Sequence, residues 1–206
     1  MIDRTKSRDY GASLGGSIAR YYIDLYVNEC FDKLHLQGKT IVEIGDERYG
    51  KLVKDSKRII IRNTVQDDDH FMFADLETGE GCEDNICDAI ILTNVLSCLF
   101  EIKNALINSN RMLKKGGVAI ITVPGIAQIT QQDYNTYGQF WRLTPMCLER
   151  LLREVFVDAE ISIKYYGNVK TATCFLYGES VVSLKQEELE YIDPDYPMLI
   201  GAMVIK

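Results

Sequence analysis

Four short runs of apolar, largely β-branched residues recur along this chain, and they restrict its fold more than any other feature. They are residues 40–45 (TIVEIG), 58–61 (RIII), 88–92 (DAIIL) and 118–123 (VAIITV). Near-continuous apolar runs, rather than strict alternation, suit parallel strands covered by helices on both faces. A shorter run at 71–74 (FMFA) leads into Asp75 as a further strand candidate. Between the strands lie helical patterns. Residues 17–34 carry Ile18, Tyr21, Tyr22, Leu25, Tyr26 and Phe31 as an amphipathic stripe. Residues 101–113 place Ile102, Leu106, Ile107 and Leu113 similarly, and Lys114, Lys115, Gly116 and Gly117 read as the cations and glycines that stop that helix. Residues 144–155 repeat the pattern, with Thr144 as N-cap and Pro145 at the first helical position.

Toward the end of the chain, residues 160–166 and 199–205 read as strands, the last antiparallel to the rest if the two pair. Residues 170–190 read as helical despite the strand-like TATCFLY, and 193–197 (DPDYP) as a turn. The expected fold class is therefore α/β: a doubly wound, mostly parallel seven-stranded sheet with an antiparallel last strand. One domain accounts for residues 1–206, with 1–36 a helical segment and 37–206 the core.

Charge and composition narrow the partners. A net charge of -7 lacks the basic surface that nucleic acid requires. No run approaches a membrane span of about 20 apolar residues. The polar opening, MIDRTKSRDYGASLGG, has no signal-peptide core, so the expectation is a cytoplasmic protein with a small-molecule partner. A homodimer is compatible with the sequence. The six cysteines stand singly and only two histidines occur, so the thiols read as small hydrophobes and no metal site is expected.

In an open parallel sheet, ligands bind beyond the carboxyl ends of the strands. There the first strand ends Glu43-Ile44-Gly45-Asp46. A carboxylate in an apolar strand costs several kcal/mol if buried without a partner, so hydrogen-bonding or cationic groups must meet Glu43. Gly45 allows close backbone approach to a ligand. Asp46 and Glu47 read as the favourably charged start of a helix, and Asp67–Asp69 as a solvated loop. His70 precedes a strand, which places it at the wrong end of the sheet for catalysis, and His35 reads as a helix cap. Tyr134, Tyr137, Phe140, Trp141 and Arg142 cluster after the fifth run as a substrate wall, with Trp141 read as core and Arg142 as functional.

These residues carry a resemblance. Glu43-Ile44-Gly45 resembles the opening of the class I S-adenosylmethionine (SAM) dependent methyltransferase pattern, E/D-x-G-x-G-x-G. The segments 71–76 (FMFADL), 87–96 (CDAIILTNVL) and 111–122 (RMLKKGGVAIIT) resemble the family's later motifs in order and spacing. Outside them, 20–23 (RYYI), 137–144 (YGQFWRLT) and 166–169 (YGNV) resemble a small bacterial subgroup associated with glycan or natural-product biosynthesis.

The resemblance implies a Rossmann-like methyltransferase fold, SAM as cofactor, and methyl transfer to a small acceptor such as a sugar or biosynthetic intermediate. It places Glu43 and Gly45 by the methionine moiety, Asp75 and Leu76 by the adenine, and Thr93 and Asn94 along the cleft, with Arg20 or Tyr21 capping the methionine carboxylate. Tyr137, Trp141 and Arg142 are the substrate residues, and Asp133 and Tyr134 the candidates for a base. Two departures stand against it. Glu47 and Tyr49 replace the second and third glycines, and Ile61-Arg62-Asn63 lacks the acid expected to hold the ribose. A noncatalytic methyltransferase-like domain that binds a ligand or a protein is the alternative. A dehydrogenase is disfavoured because G-x-G-x-x-G is absent.

Overall fold

The computed structural model describes residues 4–62 and 70–206. The strands are β1 (Thr40–Ile44), β2 (Lys57–Arg62), β3 (Phe71–Phe73), β4 (Cys87–Thr93), β5 (Leu113–Pro124), β6 (Glu160–Tyr166) and β7 (Leu199–Ile205). They form one sheet in the order β3-β2-β1-β4-β5-β7-β6. The pairings on the β3 side of β5 are parallel, whereas β7 runs antiparallel to both β5 and β6. This is the doubly wound sheet with an inverted last strand that the apolar runs imply. Strand order reverses between β1 and β4, so the topological switch point lies at their carboxyl ends.

Alternate residues of the central strands feed two cores. Ile41, Ala89, Ile91, Val118 and Ile120 pack beneath α1 (Ile18–Lys33), with Tyr22, Tyr26 and Val27 from the helix. On the opposite face, Val42, Ile90, Leu92, Ala119 and Ile121 pack beneath α2 (Ile102–Met112) and α4 (Pro145–Val155). Each fully buried Ile or Leu contributes about 1.5–3 kcal/mol, which is why the strand runs carry no polar face. Thr144 caps α4 by accepting the N–H of Cys147, with Pro145 at the first position. Between them lies α3 (Gln131–Tyr137), a helix the apolar pattern does not announce, capped by Thr130. Residues 170–190 are mainly helical: α5 (Val169–Leu176), a 3-10 turn, and α6 (Gln186–Glu190).

Two expectations need correction, and a third residue run serves two elements at once. No helix opens at Asp46 and Glu47; β1 leads into a bent loop and one 3-10 turn, Gly50–Leu52. Glu47 instead pairs with Arg58. The Lys114–Gly117 segment does follow the end of α2, whose cap is Leu113. Its residues already belong to β5, where Gly116 N–H donates to the carbonyl of Lys206 (2.9 Å). His35 is not the cap of α1, because Leu34 occupies that position, its N–H donating to the Phe31 carbonyl.

Candidate functional site

Two residues with left-handed backbones flank the switch point. Gly45 follows β1 with φ 87°, and Asn94 follows β4 with φ 58°. An added Cβ at Gly45 would meet nothing within 4 Å, so the turn opens onto free space. Asn94 is a costlier choice, since a residue with a side chain is strained there by about 1 kcal/mol or more. It is held by its N–H to the Thr122 carbonyl (2.8 Å) and by the Thr122 hydroxyl, which donates to Asn94 Oδ1 (3.2 Å). Thr93 and Asn94 are half-buried, and Gly45 and Asp46 exposed.

Glu43 is 4% exposed, and its partners are backbone amides. Oε1 accepts the N–H of Tyr49 at 2.9 Å and of Arg48 at 3.3 Å, and Oε2 accepts that of Gly50 at 2.6 Å. Burial pushes this carboxyl above its ordinary value, while those three N–H groups pull it back. The requirement for hydrogen-bonding groups around Glu43 is met within the loop that follows its own strand.

That loop is tied to α1. Tyr49, 3% exposed, donates its hydroxyl to Asp24 Oδ1 at 2.6 Å and accepts from Arg20 Nη1 at 3.1 Å. Arg48 bonds the same Asp24 at 3.2 Å. Arg20 thus points to the tyrosine that stands where the pattern has glycine. Tyr21 turns toward α6, accepting from Gln186 at 3.3 Å. Asp75 caps its own turn through the N–H groups of Glu77 (2.7 Å) and Thr78 (3.3 Å), and Leu76 is buried in the core. Asn63 and Asp67–Asp69 lie outside the described residues. His70 stands one residue ahead of β3, at the amino end of that strand.

Beyond β5 a second polar group gathers. Tyr10, half-buried, donates toward Asp133 Oδ2 (2.9 Å) and lies 3.1 Å from Thr130 Oγ1, while Gln139 Nε2 donates to its hydroxyl at 3.0 Å. Its ring stacks on Phe175 with centroids 5.6 Å apart. Cys98, past the end of β4, has its thiol pushed up by burial. Arg142 is engaged by the carbonyls of Ala127, Gln128 and Trp141 and by Gln139 Oε1. It clamps the loop after β5.

Trp141, read as core, is 38% exposed; it packs on Phe100, and its Nε1 donates to the Phe100 carbonyl at 3.2 Å. Tyr134 and Tyr137 are exposed on α3. The structure therefore brings Gly45, Thr93 and Asn94 to the switch point, and beyond β5 it links Asp133 to Arg142 through Gln139. Arg20, Tyr21, Asp75 and Leu76 have intramolecular partners or are buried. The sequence reading missed Tyr10 and Asp24, whose roles depend on contacts across 123 and 25 positions.

No family model matches the sequence, and no curated protein matches it either. Solved structures do. A SAM-dependent methyltransferase from Archaeoglobus fulgidus superposes with a TM-score of 0.54 at 11% identity, over 91% of this chain and 94% of that one. A SAM-dependent methyltransferase from Thermotoga maritima, described as a possible histamine N-methyltransferase, gives 0.55 at 14% identity, over 92% and 91%. Phosphoethanolamine N-methyltransferase 2 of Haemonchus contortus, solved with S-adenosyl-L-methionine, gives 0.57 at 13% identity, over 90% of this chain and 52% of that one.

The chain has the Rossmann-like methyltransferase fold. In this chain the loop after β1 folds back onto Glu43 and α1, and the N-terminal segment reaches Asp133 through Tyr10. Among the described residues, no helix is long and apolar enough to cross a membrane.

Proposed function

We propose that this protein is a cytoplasmic SAM-dependent methyltransferase acting on a small-molecule acceptor, with its cofactor cleft at the switch point between β1 and β4. The observation that carries this reading is the pair of left-handed residues there, Gly45 and Asn94, with open space beside Gly45. A nucleoside can approach the backbone at Gly45, half-exposed Thr93 and Asn94 offer it polar groups, and Asp46 gives the rim a negative charge suited to a sulfonium. When bound, SAM supplies an electrophilic methyl group on that sulfonium.

The protein's part is to align and desolvate the acceptor, effects that together reach about 7–11 kcal/mol. Asp133, with Tyr10 bonded to it, is positioned beyond β5 as the carboxylate that takes the acceptor's proton. Tyr134, Tyr137 and Trp141 form the exposed aromatic wall beside it. A sugar or biosynthetic intermediate, of the kind the bacterial glycan and natural-product subgroup handles, suits a wall of this type.

A second reading, a noncatalytic ligand- or protein-binding domain, is favoured by one specific arrangement. Tyr49 and Glu43 hold the loop after β1 in a closed, internally bonded form, and Arg20 is engaged by Tyr49. Calorimetric titration with SAM and S-adenosylhomocysteine separates the two. The enzyme reading expects micromolar binding of both, weakened at least tenfold by Gly45→Ala, whose new methyl would enter the cleft. A folded protein that takes up neither compound at millimolar concentration would leave only the noncatalytic reading.

A further inference from the structure

A cavity of about 260 Å³ lies at the opposite end of the sheet, among the amino ends of β1, β4 and β5 and the carboxyl end of β7. It sits where the pairing of β4 with β5 is interrupted. Cys87 pairs with Leu113 and Ala89 with Val118, so Asp88 alone faces the four residues Lys114, Lys115, Gly116 and Gly117. Such a bulge re-aims side chains and backbone away from the ladder. The glycines make it possible. Gly116 has φ 75° with open space around it, and a Cβ at Gly117 would stand 2.9 Å from the Lys114 carbonyl oxygen.

The chemistry of the lining is cationic in a chain of net charge -7. Lys39 and Lys115, both exposed, border the cavity beside the exposed ring of His35, and among the described residues neither ammonium has a hydrogen-bond or ion-pair partner. The one acidic side chain in the lining, Asp88, is already neutralised. Burial pushes its carboxyl up, but the N–H of Thr40 at 2.9 Å, the ammonium of Lys114 at 2.9 Å and the nearby charge of Lys39 hold it below the ordinary value. Leu36, Val118 and Ile205 supply an apolar wall beside the charges. Two exposed lysines without a hydrogen-bonded partner, an apolar wall and a glycine bulge converge on one concavity far from the switch point.

We propose that this cavity is a binding site for a small organic anion: a phosphate or carboxylate head held by Lys39 and Lys115, with a compact apolar body against Val118 and Ile205. The site is independent of the cofactor cleft, and its occupant would stabilise the folded state by mass action.

The test uses inorganic phosphate and phenyl phosphate as probes on the full chain, followed by calorimetry and by thermal midpoint at constant ionic strength. Phenyl phosphate is expected to bind saturably, more tightly than inorganic phosphate, and to raise the midpoint. In the Lys39→Met, Lys115→Met double variant its affinity falls at least tenfold, whereas Lys170→Met, an exposed lysine elsewhere, leaves it unchanged. Absence of saturation at millimolar phenyl phosphate overturns the proposal. So does an equal loss in Lys170→Met, which would reduce the effect to general charge. SAM titration of the double variant stays as in the wild type, so failure here and failure of the methyltransferase reading are told apart.

Discussion

The phenol of Tyr49 donates a 2.6 Å hydrogen bond to Asp24, and through it the loop that follows the first strand is fastened to the helix that precedes it. Burial and the neighbouring carboxylate push the phenol up to about 12, so it remains a donor throughout the neutral range. Tyr49→Phe keeps the ring in place and removes the bond to Asp24 together with the acceptor for Arg20. A hydrogen bond to a charged group contributes about 1.5–3 kcal/mol, and because Asp24 is partly exposed and retains Arg48, the expected loss is about 1–2 kcal/mol. Urea denaturation, with an unchanged slope and a lower midpoint, measures it. An unshifted midpoint would mean that the bond contributes nothing in solution.

Glu43 gives a pH dependence of definite sign. Burial raises its carboxyl above 4.5 despite the three amides it accepts from. The folded chain then holds the proton more tightly than the unfolded one, so this contribution to stability is complete below about pH 4.5 and is lost as pH climbs through the raised folded value. In Glu43→Gln the titration is gone. The stability advantage of wild type over the variant should therefore narrow as pH rises from 4.5, in denaturation curves recorded at matched ionic strength. An advantage that widens instead would show that the amides of Tyr49 and Gly50 outweigh burial.

The Tyr10 latch predicts a local effect. The N-terminal segment lies on the stretch after α5 through Lys6 N–H to the Tyr177 carbonyl (2.8 Å) and Ser7 Oγ to the Gly178 carbonyl (2.9 Å), and reaches α3 through Tyr10. Tyr10→Phe retains the stack on Phe175 but releases Asp133 and Gln139. Losing about 1 kcal/mol locally corresponds to roughly fivefold faster opening. Hydrogen exchange at Lys6 and Gly11 should quicken by that factor while the amides of β5 remain unchanged. Equal acceleration in both places would make Tyr10 a part of the global fold and not a latch.

What the sequence makes legible here is what burial dictates. The runs 40–45, 88–92 and 118–123 have to be strands because both faces of each are apolar, and β1, β4 and β5 stand there. Gly45 was legible for a related reason, since only the backbone matters at a left-handed turn. The loop after β1 was not. Glu43 is satisfied by the amides of residues 48–50, and no side-chain pattern marks an amide as a donor. The Lys114–Gly117 run fits a helix stop locally and does follow α2, but its place as a bulge at the start of β5 depends on bonds 90 positions away in sequence (Gly116 to Lys206). The Tyr10–Asp133 contact is equally remote. Local chemistry reached the sheet; the linkages that shape the cleft are nonlocal.

The closeness of α1 to the sheet rests on a single missing side chain. Gly201 of β7, paired with Thr122 of β5 and Lys164 of β6, lies directly beneath Tyr26. A Cβ built there would stand 2.5 Å from the ring's Cε1, well inside any tolerable contact. The ring has little freedom to yield, because it is buried and meets Tyr166 edge-on with centroids 6.2 Å apart. Gly201→Ala therefore has to displace the ring, the helix or the strand. Overpacking of this kind costs about 1–3 kcal/mol, and the rigidity of the aromatic pair puts the expectation at the upper end. The same displacement would carry Arg20 and Asp24 with the helix, so the variant should also loosen the Tyr49 loop, visible as faster exchange at the amides of Tyr49 and Gly50. A loss under about 0.5 kcal/mol, within the range of ordinary surface substitutions, would mean that α1 rides farther from β7 than the structure has it.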